Sequence, residues 1–231
     1  ESVGESRLLA AAWHYLARFL DMDQEVVAHQ VAWMRQRAAW LMDSEPSDAT
    51  VSLTGGDEAA FITANGNRSI ASRFVELLGG DAVKRLIVVS PYWDEDLAAL
   101  RDLHEATGAR EVCVLVGGRK PSFPSSSLVE RDAIRLYASE AGESKRFVHG
   151  KLIIAQTRDA DHVLYGSANC TVAAMGSMRN FAGRNDEACI YRRMRRDAVL
   201  RELGLENALA KDKLLKKLPE WQVQPEVPLD A

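Results

Sequence analysis

Two short groups of polar residues frame an apolar hairpin in the second half of the chain, and their side chains suit phosphate ester chemistry. His149 and Lys151 stand at the end of one apolar run, and Gly166, Ser167 and Asn169 follow the next. On an extended strand alternate side chains share a face, so the imidazole and the ammonium are expected to point the same way. The small residues bring free backbone N–H groups to a predicted helix start, which favours an anion. Together the residues predict a site for a phosphate ester.

The elements that must position these residues are two strands and a helix. Segments 147–155 and 162–165 are rich in Ile, Leu and Val and are separated by the polar turn 157–161, which predicts a hairpin. The segment 169–175 is predicted to begin a helix. The polar residues therefore lie where strands end.

At these residues the sequence resembles the phospholipase D superfamily, whose HKD signature runs His-x-Lys, four residues, Asp, six residues, Gly-Ser-x-Asn. The matching residues are His149, Lys151, Gly166, Ser167 and Asn169. Counting forward from Lys151 places Gln156 at the position of the Asp, whereas counting back from Gly166 places Asp159 there. The hairpin is therefore expected to be three residues longer than the usual pattern, and both residues remain candidates for the Asp position.

Two further segments extend the resemblance over roughly residues 60 to 205. Asn185, Asp186 and Glu187 precede the apolar segment 188–191, as an Asn-x-Glu sequence does in members of the superfamily. Segment 86–94 is similar to the opening strand of a phospholipase D lobe and the loop after it. An acidic residue before a strand is also common without any function, so both interpretations of Glu187 stay open.

The resemblance implies a reaction through a phosphohistidine. One histidine, here His149, attacks phosphorus, a second histidine protonates the leaving oxygen, and water releases the product. Lys151 and Asn169 would hold the non-bridging oxygens, and Ser167 with nearby backbone N–H groups would complete the cradle. Glu187 would accept a hydrogen bond from a histidine ring and fix its tautomer. This scheme requires neither a metal ion nor a cofactor.

The chain contains one copy of the motif, although the implied mechanism needs two histidines that face each other. Either two chains meet around a twofold axis as a homodimer, or a second phospholipase D lobe of a longer protein supplies the other half-site. Residues 1–45 predict two amphipathic helices broken near 21–23. They bridge to another lobe or cover this domain's own sheet, and the sequence leaves both open. The apolar residues at helical spacing are Trp13, Leu16, Leu20, Val27, Val31, Met34, Ala38 and Leu41.

The order of elements predicts an α/β fold in which a phospholipase D-like mixed β-sheet is sandwiched by helices, with an N-terminal helical extension. After residue 191 the chain is expected to become charged and helical. The predicted domains are a helical extension or inter-lobe linker at 1–45, the α/β lobe at 46–210 and a charged tail at 211–231. Strands are predicted at 50–53, 59–63, 86–90 and 111–116, and helices at 70–78 and 97–107.

Composition indicates a globular chain. Of its 231 residues 47% are hydrophobic and 27% charged, which is enough to bury a core, and no apolar run approaches the roughly 20 residues of a membrane span. Cys113, Cys170 and Cys189 are expected to be buried thiols of a reducing compartment, because their spacing suits neither disulfides nor a zinc site. A cytoplasmic location is therefore predicted.

Charge clusters favour a polyanionic substrate, although the net charge of −4 argues against a uniformly basic nucleic-acid binder. We expect Gly166, Ser167, Arg184 and Arg119 to bind substrate. The predicted function is a metal-independent nuclease, acting on DNA rather than RNA, in a DNA-processing or defence system. The alternatives are a phospholipid-cleaving or phosphatidyl-transferring enzyme, since the N-terminal helices are Trp-rich, and a non-catalytic lobe of a larger nucleic-acid-processing protein. The clusters comprise Arg192, Arg193, Arg195 and Arg196 after the Glu187 strand, and Arg119, Lys120, Lys145, Arg146 and Arg184 near the motif ends.

Overall fold

The central strands of the chain are apolar on both faces, and they form one mixed sheet with helices packed on each side. The computed structural model describes residues 3–45, 47–64, 68–117, 123–128, 133–139, 149–178 and 181–216. Within these residues the sheet has eight strands in the order β1-β2-β8-β7-β6-β3-β4-β5. The α/β class, with a mixed sheet between helices, is thus confirmed.

The strands and helices have the following bounds. The strands are β1 Val51–Ser52, β2 Glu58–Thr63, β3 Arg85–Val89, β4 Glu111–Gly117, β5 Ile134–Ser139, β6 Leu152–Gln156, β7 Ala160–Gly166 and β8 Ala188–Arg195. The helices are α1 Val3–Ala17, α2 Glu25–Arg37, α3 Ala39–Met42, α4 Ile70–Leu77, α5 Ala98–Thr107, α6 Val172–Met175, α7 Ala198–Glu202 and α8 Leu205–Ala208.

Strand direction brings four strand ends together. β3, β4 and β5 are parallel, whereas β6 runs antiparallel to β3 and to β7, and β8 runs antiparallel to β7 and to β2. Val89 at the end of β3 therefore pairs with Leu152 at the start of β6, and Gly166 at the end of β7 pairs with Cys189 near the start of β8. We call this end of the sheet, marked by those four residues, the site end.

Alternation along the strands divides the core into two layers. On β3, Leu86 and Val88 face the layer that contains Phe74 of α4 and Leu100 of α5. Their neighbour Ile87 faces the other layer, which includes residues of α7. Burial of successive residues on opposite faces explains why β3 is a continuous apolar run.

The structure corrects the prediction that the chain turns helical after residue 191. β8 continues to Arg195, since its backbone pairs with β2 on one side and with β7 on the other. Hydrogen bonding to two neighbouring strands outweighs the helical propensity of this charged segment. At the hairpin, the strand predicted at 147–155 is found as β6, which begins only at Leu152; residues 149–151 are not in a strand, and residues 147 and 148 lie outside the described part. The helix predicted from 169 begins at Val172.

Three helices precede β1 in the described residues: α1 and α2 flank the break predicted near 21–23, and the short α3 follows where the second predicted helix was expected to continue. Tyr15 of α1 packs on Phe61 of β2, with ring centroids 5.8 Å apart, so α1 contacts this domain's own sheet. α2 exposes Val26 and Trp33. A role as a linker to another lobe stays a prediction, as do the proposed domain boundaries between residues 45 and 46 and between residues 210 and 211. None of the helices in the described residues has the length and apolar run that a bilayer crossing requires.

A buried histidine links β7 to β8 within the core. His162 is only 1% exposed, and its Nδ1 lies 2.8 Å from the hydroxyl of Tyr191, which donates to the backbone oxygen of Leu77 at 3.1 Å. Burial lowers the pKa of His162, although the carboxylate of Asp81, 3.5 Å from Nε2, opposes that shift. The ring is therefore neutral in the folded chain near neutral pH.

We expect the free energy of unfolding to decrease as the pH falls below about 6.5, the unfolded pKa of histidine. Because the folded pKa of His162 is lowered, the unfolded chain binds more protons in this range, and the slope is at most about 1.4 kcal/mol per pH unit. Urea unfolding at about pH 8 and about pH 5.5 measures the effect. In His162→Gln the free energy of unfolding should depend less on pH than in a His104→Gln control. An equal pH dependence in His162→Gln and the parent chain would show that His162 is not the group responsible.

Candidate active site

His149 and Lys151 meet at the site end of the sheet, immediately before β6. Lys151 Nζ lies 2.6 Å from His149 Nε2, and the imidazole is exposed. An ammonium group donates and cannot accept, so Nε2 is the acceptor and directs its lone pair toward Lys151. The two side chains thus meet, although residues 149–151 precede β6 and do not lie on a strand as expected.

Tyr92 is a neighbour of this pair that the sequence analysis did not single out as a site residue. Its ring lies edge-on to the His149 ring, with centroids 6.3 Å apart, and it is 48% exposed. The contact arises because β3, which precedes Tyr92, pairs with β6, which follows His149. No local sequence pattern predicts that β3 pairs with β6. The contact between Tyr92 and His149 could therefore be predicted only if the strand order were known.

Gly166 and Ser167 hold the end of β7 against the start of β8 through contacts with the backbone of Ala188. A Cβ atom on Gly166 would lie 2.3 Å from the backbone oxygen of Ala188, so only glycine permits this approach. The Ser167 N–H donates to that oxygen at 3.0 Å, and the Ser167 hydroxyl accepts from the Ala188 N–H at 2.9 Å. Ser167 therefore fastens two strands together, while its role as a substrate ligand stays a prediction.

Asn169 carries a polar atom without a protein partner. Its Oδ1 is buried and accepts no hydrogen bond among the described residues. The next residue is held in place, since the Cys170 N–H donates to Ser90 Oγ at 2.9 Å. A buried acceptor without a partner costs roughly 1 to 3 kcal/mol, so a donor from a ligand would stabilise this amide.

The structure corrects the expectation that the start of the helix after Asn169 offers its N–H groups to an anion. The carboxylate of Asp94 accepts from the Val172 N–H at 3.0 Å and from the Ala99 N–H at 2.9 Å. Thr171 caps α6, with the Ala174 N–H donating to its hydroxyl at 3.3 Å. Because α6 has four residues and its first N–H is occupied, the side chains must supply most of an anion cradle.

Two more of the predicted site residues, Glu187 and Arg184, lie in the segment before β8. Glu187 is 8% exposed and accepts a hydrogen bond from Asn185 Nδ2 at 3.1 Å. Arg184 is exposed, and its backbone N–H donates to the oxygen of Ala173 at 2.7 Å. Arg119 lies outside the described residues. A contact between Glu187 and a histidine ring stays a prediction.

Gln156, and not Asp159, occupies the buried position at the end of β6. Its side chain is fully buried, accepts from Arg85 Nε at 2.8 Å, and donates to Asp161 Oδ1 at 2.8 Å and to Asp197 Oδ1 at 3.1 Å. The side chain of Asp159 is 82% exposed. The five residues from Lys151 to Gln156 span roughly 16 Å of strand, so Gln156 braces the opposite end of the sheet.

The three thiols are buried and uncharged. Burial raises the pKa of Cys113 and of Cys189 to about 11, and it raises the pKa of Cys170 as well. None of them is a nucleophile near neutral pH, because attack requires a thiolate. In the described residues no group of three or more His, Cys, Asp or Glu side chains is placed to hold a metal ion.

The arginines that follow Glu187 in sequence do not gather at the site. Arg192 binds the carboxylate of Asp57, and Arg195 pairs with Ala160 at the far end of β7. Arg196 donates to a backbone oxygen in the β6–β7 turn. Because β8 runs away from the site end, these arginines do not lie together at the site. The cluster therefore does not support the expectation of a polyanionic substrate.

Comparison with known proteins gives structural likeness at low sequence identity. No protein-family model matches the chain, and no curated protein is significantly similar to it. Similar solved structures include NucT from Helicobacter pylori, with 11% identity, a TM-score of 0.44, and coverage of 69% of this chain and 98% of NucT. Nuc from Salmonella typhimurium, a phospholipase D family member, has 18% identity, a TM-score of 0.38 and coverage of 68% and 93%. Yeast tyrosyl-DNA phosphodiesterase has 15% identity, a TM-score of 0.37 and coverage of 58% and 32%.

Replacing Asp94 with Ala should lower the free energy of unfolding by roughly 2 kcal/mol, because two backbone N–H groups lose their acceptor. Chemical denaturation measures the loss. Asp96→Ala is the matched control, since the carboxylate of Asp96 is 65% exposed and its contacts are at the surface. Equal losses in the two variants would show that Asp94 has no special part in joining α5 to α6.

Proposed function

We propose that this chain is a phosphodiesterase of the phospholipase D type, and more specifically a nuclease that cleaves nucleic-acid phosphodiesters without a metal ion. The observation that carries the proposal is the 2.6 Å contact between Lys151 Nζ and His149 Nε2 at an exposed strand end. A nucleophilic nitrogen and a cation then lie side by side, which is the pairing that attack on an anionic ester requires.

The first chemical step uses that contact directly. When a phosphodiester binds, Lys151 transfers its hydrogen bond to a non-bridging oxygen, and the lone pair of His149 Nε2 becomes free to attack phosphorus. A nitrogen–phosphorus bond forms, the bond to the leaving oxygen breaks, and that oxygen takes a proton from a second histidine. Water then attacks the phosphohistidine, gives its proton to the second histidine, and restores the imidazole of His149.

The amide of Asn169 and the carboxylate of Glu187 have supporting roles in the proposed mechanism. The Oδ1 of Asn169 is buried and has no hydrogen-bond partner among the described residues, and we expect the Nδ2 of the same amide to donate to a non-bridging oxygen. Glu187 precedes β8, which lies two strands from β6, at a backbone separation of about 10 Å. Extended side chains span such a gap, so Glu187 would accept from the Nδ1–H of His149 and fix its tautomer.

The second histidine comes from another copy of the motif. We propose that two chains pair around a twofold axis so that each active site contains both copies of His149. After subunit exchange between the parent chain and excess His149→Ala, activity should then fall with the square of the parent fraction. A fall in simple proportion to that fraction would contradict a shared site, and light scattering that shows an inactive monomer would favour a separate second lobe.

The alternative substrate is a phospholipid. It is favoured by one observation, the exposure of Val26 and Trp33 on α2, which would give a membrane surface an apolar contact. Release of the headgroup from mixed anionic vesicles tests it. We prefer nucleic acid because an exposed tyrosine, Tyr92, adjoins His149, and an aromatic face at the reaction centre suits a base.

His149→Ala should lower cleavage of labelled single-stranded DNA in excess EDTA by at least about three orders of magnitude, because the nucleophile is lost. Gel separation of the products measures the rate. His29→Ala, which removes an exposed histidine of α2, is the control and should retain the parent rate. Cleavage that survives in His149→Ala would exclude the phosphohistidine route.

Tyr92→Ala should raise KM for an oligonucleotide roughly tenfold, because stacking on an aromatic ring contributes about 1 to 3 kcal/mol per base. Tyr92→Phe keeps the ring and should keep KM near the parent value. Initial rates over a range of oligonucleotide concentrations measure both. If Tyr92→Phe is impaired as strongly as Tyr92→Ala, the hydroxyl and not the ring face makes the contact.

A further inference from the structure

An arginine-lined cavity of about 420 Å³ lies between α1, β2 and the start of α4, at the site end of the sheet and three strand positions from β6. We propose that it binds a phosphate of the nucleic-acid strand other than the one that is cleaved. The proposal rests on the nuclease function and deepens it, because it names the form of the substrate as a single strand several nucleotides long. The residues that matter to the argument are His14, Tyr15, Arg18, Thr63, Arg68 and Arg73.

Charge at the cavity favours an anion. Three guanidinium groups, those of Arg18, Arg68 and Arg73, line it against one carboxylate, that of Asp48, among the described residues. Asp48 contacts Arg68 at 2.9 Å, and Arg73 Nη1 contacts Glu76 at 3.0 Å.

These ion pairs hold the guanidinium groups in place, and those of Arg18 and Arg68 stay open to solvent. The side chain of Arg68 is 54% exposed although it is paired, and that of Arg18, which binds Asp186 at 3.0 Å, is 46% exposed. Arg73 Nε is buried and has no hydrogen-bond partner among the described residues. Arg68 contacts two carboxylates, that of Asp48 and that of Glu76 at 3.5 Å. Each guanidinium carries five N–H groups in a fixed fork, so donors remain for a phosphate oxygen.

The cavity lies within reach of the strand that His149 would cleave. Thr63, which lines it, pairs with Ala188 of β8, and Ala188 is the residue that Ser167 fastens to β7. Two strand spacings, about 10 Å, therefore separate Thr63 from the end of β7. Arg18 reaches the same edge, since its partner Asp186 is next to Glu187. A strand bound at the active site would thus extend over the cavity within a few nucleotides.

Aromatic rings beside the arginines favour nucleic acid over a lipid headgroup or free phosphate. The ring of Tyr15 lies 5.3 Å from that of Phe19, which is 52% exposed, and the guanidinium of Arg18 covers both rings at 5.0 and 5.3 Å. Cationic groups that follow a backbone, combined with rings on which bases stack, are the two requirements of single-strand binding. The N-terminal helix α1 would then be part of the substrate surface.

The test compares two arginines with equal exposure in the full 231-residue chain. Arg68→Ala removes a cavity cation, whereas Arg135→Ala removes one whose side chain is also 54% exposed and paired, with Glu111 at 2.7 Å, but at the opposite end of the sheet. Fluorescence anisotropy with a labelled single-stranded octanucleotide gives Kd over a series of salt concentrations. EDTA prevents cleavage by contaminating metal nucleases, and the parent and every variant in the binding assay also carry His149→Ala so that the chain does not cleave the oligonucleotide. The unfolding midpoint of each variant reports its fold.

For Arg68→Ala we expect Kd to rise several-fold and the slope of log K against log salt to become shallower by roughly 0.7, the value for one lost phosphate contact on a single strand. Arg135→Ala should match the parent chain in both quantities. Arg68→Lys keeps the charge and should keep the parent slope even if the geometry of the contact changes.

The outcomes separate this proposal from the nuclease function. If Arg68→Ala and Arg135→Ala bind alike, the cavity proposal is wrong whether or not the parent chain cleaves DNA. If the parent binds through Arg68 but does not cleave, the cavity proposal stands and the nuclease function fails. Binding of phosphatidylglycerol vesicles through Arg68, without oligonucleotide binding, would assign the cavity to a lipid headgroup and overturn the proposal.

Discussion

The carboxylate of Asp94 is the group on which the arrangement of the candidate site depends. It accepts backbone N–H groups from the first turn of α5 and from the start of α6, two segments that are far apart in the sequence. With the Ser90 hydroxyl, which holds the Cys170 N–H, it fixes the loop after β3 against the chain that carries Asn169. Hydrogen bonds to a charged acceptor are stronger than those between neutral groups. A single acidic side chain outside the motif therefore determines where the motif amide lies.

Local patterns were sufficient for much of the fold. α4 and α5 begin and end within about a residue of their predicted bounds, since their apolar faces recur at helical spacing. β3 and β4 were recognisable as short apolar runs. β5 was missed, because Arg135 interrupts its apolar pattern and its register is set by pairing with β4. The extension of β8 to Arg195 was missed for the same physical reason, as partners on both sides decide it.

The sequence predicted some contacts of the candidate site and not others. The contact of His149 with Lys151 was expected from alternation along a strand, whereas the structure places both residues just before β6, outside the strand. The contact of Tyr92 with His149 and the capture of the Val172 N–H by Asp94 depend on strand order and on loop packing. The positions of charged groups were the least predictable property. Arginines close together in the sequence separate along β8, and those around the cavity come from two distant segments, the end of α1 and the start of α4.

The cysteines have a practical consequence for spectroscopy. All three thiols of the chain are buried, and burial raises the pKa of each, so maleimide reagents would find no reactive sulfur on the folded surface. A single cysteine introduced at an exposed position such as Glu202 would then be the one labelled residue, without removal of the native three. Dyes or spin labels placed in this way would measure distances across an assembly of several chains in solution. The native background is already suited to such labelling.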